Sequence, residues 1–181
     1  MKWQTLAQEV INGKELSNEE AMEILNADDD ELLPLLHGAF TIRKHYFGKK
    51  VKLNMIMNAK SGYCPEDCGY CAQSSKSTAP IEKYPFITKE QIIEGARIAF
   101  ENKIGTYCIV ASGRGPTRKD VNVVSEAVKE IKEKYGLKVC ACLGILKEEQ
   151  AEQLKEAGVD RYNHNINTSE RHHEFITTTH T

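Results

Sequence analysis

The 181-residue sequence predicts an α/β fold in which helices connect the strands of a parallel sheet. Two observations carry that class. From about residue 51 onward the apolar period switches repeatedly between two residues and 3.6, giving four strand signals with three helical signals between them. The second strand signal, Thr106 to Ala111, is apolar throughout, as strands covered by helices in a parallel sheet are. Strands alternating with helices in this way imply right-handed crossovers.

Ahead of the alternation, residues from about Trp3 to Phe47 carry helical signals. Ser17-Asn18-Glu19-Glu20 has the form of a capping box, in which the Ser hydroxyl and the Glu carboxylate each satisfy a free backbone N–H, and Ala21, Ile24 and Leu25 follow it. Asp28, Asp29 and Asp30 offer caps and favourable first-turn charge to a third helix. Pro34 suits an early position in it, and Leu36, Phe40 and Phe47 continue an apolar stripe toward Gly48. A first strand is expected over residues 51–58, delivering the chain into a cysteine-bearing loop. Thr88-Lys89-Glu90-Gln91 is another capping box, opening a helix whose apolar face is Ile92, Ile93, Ala96, Ala99 and Phe100. Gly105 precedes the second strand, and Ser112-Gly113-Arg114-Gly115-Pro116 ends it. The long helix over residues 119–135 places Val121, Val124, Ala127, Val128 and Ile131 on one face and stops at Gly136. A third strand over 139–145, a helix over 148–157 stopped by Gly158, and a fourth strand over 159–163 complete the pattern. His172 and His173, among Glu170, Arg171 and Glu174, read as exposed residues of a solvated turn, with no helix to cover the last strand.

The hydrophobic fraction of 40% and charged fraction of 28% belong to an ordinary globular protein with one real core. A formal charge of −2 leaves no electrostatic footprint for nucleic acid or an anionic membrane. The first ten residues hold no continuous apolar run, and no later run approaches the roughly 18 apolar residues of a membrane helix. A cytoplasmic protein with reduced thiols is therefore expected. Of the six cysteines, three crowd into one loop, which favours a metal over a disulfide framework.

That loop is Ser61-Gly62-Tyr63-Cys64-Pro65-Glu66-Asp67-Cys68-Gly69-Tyr70-Cys71-Ala72-Gln73-Ser74, with the spacing C-x3-C-x2-C. Each intervening segment is long enough to turn back and too short to wander, so three thiolates can serve one metal centre. Soft sulfur ligands select zinc or an iron–sulfur cluster. Structural zinc takes four ligands, and no second close pair follows within the next thirty residues. A [4Fe–4S] cluster with three thiolates keeps one iron open to a substrate. Buried structural cysteines sit in apolar elements, whereas these lie among Gly, Pro, Glu, Asp and Tyr.

The run from Tyr63 to Ser74, with the aromatic Tyr70 just before the last cysteine, resembles the signature of the radical S-adenosylmethionine enzymes and, over its full extent, that of the biotin synthase family. The resemblance implies a TIM-type barrel of eight β/α units, of which this chain matches the N-terminal part through about four strands. A partial (β/α) barrel follows, truncated relative to the family, with an N-terminal helical cap over residues 1–50 and the first half of the barrel over 51–181. Functional residues are then expected at the C-terminal ends of strands. The resemblance further implies that Cys64, Cys68 and Cys71 hold a [4Fe–4S] cluster whose fourth iron binds the amino and carboxylate groups of S-adenosyl-L-methionine. One electron from the reduced cluster would cleave that cofactor to methionine and a 5′-deoxyadenosyl radical. The radical would abstract hydrogen from unactivated carbons of dethiobiotin, and sulfur insertion would give biotin, so the chain would belong to a sulfurtransferase whose chemistry is carried by its cofactors. Tyr70, Asn163, Asn165 and Asn167 fall at cofactor or substrate contacts, Asn167 standing where some relatives carry Asp. Cys108 and Cys140 match two ligands of a second, [2Fe–2S] cluster; its remaining Cys and Arg ligands come from later strands, so complete assembly and turnover by this chain alone are not expected. A flavodoxin- or ferredoxin-type electron donor and a homodimer are implied as well, with no nucleic-acid or membrane partner.

Other readings of the same residues stand beside these. Cys108 and Cys140 alone suit buried small residues, with Cys142 a spare thiol on the face of Cys140. An Asn after a strand suits a turn, because Asn tolerates left-handed backbone. Gly113-Arg114-Gly115 is too short a signal for phosphate binding. A non-catalytic half-barrel holding a cluster or zinc, pairing through its open sheet edges, is an alternative function. Another radical enzyme with the same loop and a different substrate is a third.

Overall fold

The computed structural model describes residues 2–180. The chain divides into two compact units, Met1–Val51 and Lys52–Thr181.

The first unit is helical: α1 (Lys2–Ile11), α2 (Asn18–Leu25), a 3-10 turn at Asp29–Glu31 and α3 (Leu32–Phe47). The capping box ahead of α2 forms as expected, with Glu20 N–H donating to Ser17 Oγ and Ser17 N–H to the Glu20 carboxylate. α1 packs on α3 at Gly38, where any Cβ would come within 2.7 Å of the Trp3 carbonyl oxygen. Trp3 and Ala7 are buried there. Two expectations fail in this unit. The stripe of Leu36, Phe40 and Phe47 is exposed, because α3 uses its small Gly38 position to approach α1 and turns the large residues outward. Asp28 sits at a cap position without accepting a hydrogen bond through its side chain, and Asp29 and Asp30 are spent in the 3-10 turn instead of the first turn of α3.

The second unit alternates strand and helix: β1 (Asn54–Lys60), α4 (Lys89–Glu101), β2 (Thr106–Ala111), α5 (Arg118–Tyr135), β3 (Lys138–Cys142), α6 (Glu148–Glu156), β4 (Arg161–Tyr162) and α7 (Glu170–Ile176). The four strands form one parallel sheet in the order β1-β2-β3-β4. Capping boxes start α4 at Thr88 and α5 at Thr117, and Gly136 ends α5 at φ 60°, a conformation that costs glycine little. Val121, Val124, Ala127, Val128 and Ile131 of α5 join Ile92, Ala96 and Ala99 of α4 over Tyr107, Ile109, Val139 and Ala141 of the sheet, all fully buried. Phe100, expected on the same face of α4, is half exposed and packs on the Tyr135 ring 5.5 Å away.

Three boundaries move for physical reasons. β1 begins three residues later than expected, because its partner β2 begins only at Thr106, opposite Asn54; Leu53 accepts from Gly105 N–H just outside the ladder. β3 ends at Cys142: Leu143 N–H is taken by the Tyr162 hydroxyl, and Gly144, at φ 90°, crosses close to the Arg114 carbonyl. β4 is only two residues long. The solvated turn expected around His172 and His173 is replaced by α7, whose last carbonyl, that of Ile176, accepts from Gly69 N–H of the cysteine loop.

Candidate metal centre

Parallel register sorts the sheet residues into rows. Ile56, Cys108, Cys140 and Arg161 stand opposite one another across β1 to β4, and Asn58, Val110 and Cys142 form the next row on the same face. The opposite face carries the buried core beneath the helices. The row face is more open, with Ile56 67% exposed and Cys108, Cys140 and Cys142 all partly exposed.

At the C-terminal end of β1 the chain turns out of the sheet through two consecutive left-handed residues, Gly62 at φ 70° and Tyr63 at φ 55°. A non-glycine residue there stores strain of about 1–3 kcal/mol, held by its surroundings. Gln73 accepts from Gly62 N–H and from Ser61 Oγ, and Ser112 Oγ donates to the Gly62 carbonyl at 2.5 Å. Further along, Cys71 N–H donates to Cys68 O at 3.2 Å and Ser75 N–H to Glu66 O at 2.9 Å. The loop is thereby folded back so that Cys64, Cys68, Cys71 and Tyr70 all line one cavity of about 500 Å³. The far wall is built by Ser112, Gly113 and Arg114 after β2, Cys142 at the end of β3 and Gly144 beyond it, and His164, Asn165 and Asn167 after β4.

Burial pushes the Cys64 thiol up, and a hydrogen bond from the Glu66 backbone partly offsets it. Tyr70 is likewise raised by burial and by the Cys68 and Cys71 sulfurs. The two loop carboxylates are nearly buried, at 6% exposure for Glu66 and 8% for Asp67. Burial alone would raise Glu66, but hydrogen bonds from Thr179, His180 and Arg114 outweigh it and hold the carboxyl below its usual range. Hydrogen bonds from Thr178 side chain and backbone, then Lys76 and Thr177, hold Asp67 far below the usual carboxylate range.

Of the residues singled out from sequence, the cavity gathers Cys64, Cys68, Cys71, Tyr70, Asn165 and Asn167. Asn167 is left-handed at φ 69°, so the turn role of an Asn after a strand applies to it directly. Asn163, Cys108 and Cys140 do not line this cavity. Asn163 N–H extends the ladder to Ala141 O, and its side chain bonds Cys142. Cys108 and Cys140 are direct cross-strand partners; burial, and next the neighbouring Cys108, push Cys140 up to about 11. Sequence reasoning missed Glu66, Asp67 and the Thr177 to His180 segment as part of the site. The acidic pair was visible between the cysteines, but its partners lie 110 residues away and carry no local signal.

The donor chemistry can be tested against a bound group. Among the described residues no three His, Cys, Asp or Glu side chains converge on a single ion position. One zinc ion would need its thiolates about 2.3 Å from a common point, whereas each thiolate of a [4Fe–4S] cluster binds its own iron. Three thiols facing one cavity suit the larger group, and the cavity leaves room beside them for an organic cofactor.

A parallel α/β sheet bearing a three-thiol loop at the C-terminal end of its first strand defines the class: an iron–sulfur protein on part of a (β/α) barrel. The family model "Radical SAM superfamily" matches residues 59–181, and the chain belongs to that superfamily. Membership implies a [4Fe–4S] cluster and S-adenosylmethionine. The chain is 82% identical over 181 residues to a biotin synthase of Lysinibacillus sphaericus, covering all of this chain and 54% of that protein. A biotin synthase of Halalkalibacterium halodurans is 71% identical over 181 residues, again with 54% of its length covered. The chain thus spans about half the length of the curated relatives it matches. The solved structure of methylornithine synthase aligns with a TM-score of 0.74 at 24% identity, covering 87% of this chain and 46% of that one, a likeness of fold. Among the described residues no helix is long and apolar enough to cross a membrane.

Proposed function

We propose that this chain forms the cofactor-binding half of a biotin synthase-type radical S-adenosylmethionine sulfurtransferase, acting in the conversion of dethiobiotin to biotin. The observation that carries the reading is the convergence of Cys64, Cys68, Cys71 and Tyr70 on one cavity with Asn165 and Asn167 across from them, in a chain 82% identical to a biotin synthase. A [4Fe–4S] cluster bound by the three thiolates would supply the electron that cleaves S-adenosylmethionine to methionine and a 5′-deoxyadenosyl radical.

The chain's own residues bind, orient and exclude water around that chemistry. The Glu66 N–H donates toward the Cys64 sulfur, which favours the ligating thiolate form against the burial that raises it. The amides of Asn165 and Asn167 each offer a donor and an acceptor, matching ribose hydroxyls or a cyclic urea, with Asn163 beside them hydrogen-bonded to Asn165 at 3.5 Å. Val110, Ala111 and Ile145 give the cavity an apolar wall on one side, where a radical meets few groups that would quench it. Cys108 and Cys140, paired across β2 and β3, suit two ligands of a [2Fe–2S] cluster on the open face of the sheet. A flavodoxin- or ferredoxin-type donor, a homodimer and a cytoplasmic location complete the reading.

The test is anaerobic: iron and sulfide are loaded, the protein is reduced, and 5′-deoxyadenosine is measured from added S-adenosylmethionine with and without dethiobiotin. The reading expects 5′-deoxyadenosine formation that Cys71→Ala abolishes, and biotin from the full-length counterpart. Cofactor cleavage by that counterpart without any response to dethiobiotin would move the protein to another substrate.

A further inference from the structure

The end of α7 and the segment that follows it hold the cysteine loop through hydrogen bonds to Glu66, Asp67 and Gly69. Asp67 Oδ1 accepts from Thr177 Oγ1 and from Thr178 N–H, both at 2.9 Å. Its Oδ2 accepts from Thr178 Oγ1 at 2.6 Å and from Lys76 Nζ at 3.1 Å. A carboxylate has about four lone-pair sites, so Asp67 has none left for a metal or ligand. Glu66 Oε2 pairs with Thr179 Oγ1 and His180 Nδ1, both at 2.6 Å. Gly69 N–H donates to the Ile176 carbonyl at 2.8 Å, and Asp67 N–H to Thr179 Oγ1 at 3.2 Å. Arg114, from the loop after β2, donates to Thr179 O at 2.7 Å and to Glu66 Oε1 at 3.3 Å.

We propose that Thr177-Thr178-Thr179-His180 is a strap that sets the positions of the three thiols, and that Asp67 is the positioning residue through which it acts. Asp67 adjoins Cys68 directly, and the loop has no helix or strand of its own to fix it between Gly62 and Lys83. A long loop without secondary structure orders only where side chains and backbone elsewhere satisfy its polar groups. Here the strap satisfies them at Glu66, Asp67 and Gly69, between the first cysteine and the last. Arg114 joins the same strap to the cavity wall after β2, so the thiols and the opposing wall keep one spacing. The functional meaning rests on the reading of these thiols as cluster ligands, but the hold itself is a property of the metal-free chain.

The test compares wild type, Thr177→Val/Thr178→Val, Thr178→Val, Thr178→Ser and Asp67→Asn in metal-free, reduced form, mapping iodoacetamide alkylation of each cysteine by mass spectrometry. Valine matches threonine in shape and removes only the hydroxyl, and Thr178 is exposed, so T178V serves if the double variant does not fold. Freed from the strap, Cys68 and Cys71 should react roughly tenfold faster in the double variant and in D67N. Smaller acceleration is expected in T178V, recovery in T178S, and no change at Cys142, which lies in the sheet. After iron and sulfide loading, the reduced-cluster EPR signal should broaden in T178V and return to the wild-type line in T178S. Unchanged Cys68 and Cys71 rates in folded T178V and D67N, or a parallel rise at Cys142, would overturn the strap. Failure of the wild type to take up iron and sulfide would instead sink the cluster reading, leaving the alkylation rates to decide the strap.

Discussion

Asp67 and Glu66 are carboxylates placed where burial disfavours charge, and they stay charged because hydroxyl and N–H donors from Thr177 to His180 surround them. Their depressed titration gives a definite pH signature. A carboxyl group whose folded-state value lies below its unfolded value of about 3.9–4.3 stabilises fully above that range and loses the contribution as pH falls through the folded value. The thermal midpoint of metal-free Asp67→Asn should therefore fall below that of the wild type at pH 7. The gap should begin to narrow as the pH falls below about 4 and keep narrowing toward the folded-state value, a trend that thermal melts across pH 2–7 would record. A gap that widens in acid would contradict the assigned hydrogen bonds. Gly144 gives a second residue-scale prediction. At φ 90°, a Cβ there would lie 2.4 Å from the Arg114 carbonyl oxygen, so Gly144→Ala must displace the loop after β2 or β3. A loss of about 1–3 kcal/mol in denaturant unfolding is expected. The gathering of Cys64, Cys68 and Cys71 on one cavity was legible in the sequence because residue type and spacing are local properties. The donors to Glu66 and Asp67 were not, because threonines followed by a histidine at the end of a short helix have many ordinary uses, and only folding brings them beside the loop.

At the scale of elements, α5 and β2 carry the strongest sequence signals, and the structure follows them. The apolar positions of α5 recur at helical spacing, Thr117 caps its start and Gly136 its end, and each of these facts sits within a few residues of the others. Ile131, fully buried between α5 and the sheet, is a direct probe: Ile131→Ala should cost about 2–5 kcal/mol by urea unfolding, since the cavity can collapse only partly. Gly95 probes closeness of packing instead. A Cβ there would lie 2.3 Å from both Met57 Cε and Tyr107 Oη. Tyr107 is itself fixed by donating to the Ile92 carbonyl at 2.9 Å, and Gly95→Ala should destabilise by about 1–3 kcal/mol. Strand boundaries were less legible than helices. A strand ends where its partner ends, and the late start of β1 is set by Gly105 and Thr106, some fifty residues on. The helix α7 was hidden because its seven residues have no buried member and no apolar period.

The second unit leaves the Ile56, Cys108, Cys140 and Arg161 row of its sheet without helices of its own while covering the opposite face with them. A (β/α) barrel turns one such face inward, and the curated relatives are about twice as long as this chain. The fold class was readable from the alternation of periods alone; the barrel needed the cysteine motif. The measurement that tests the central claim most directly is the iron, sulfide and zinc content of anaerobically prepared protein, with Mössbauer spectra, beside a Cys64→Ala/Cys68→Ala/Cys71→Ala variant. About four irons and matching sulfide per chain, lost in the variant, are expected for a [4Fe–4S] site on these three thiols. Stoichiometric zinc without sulfide, or iron retained by the triple variant, would contradict it.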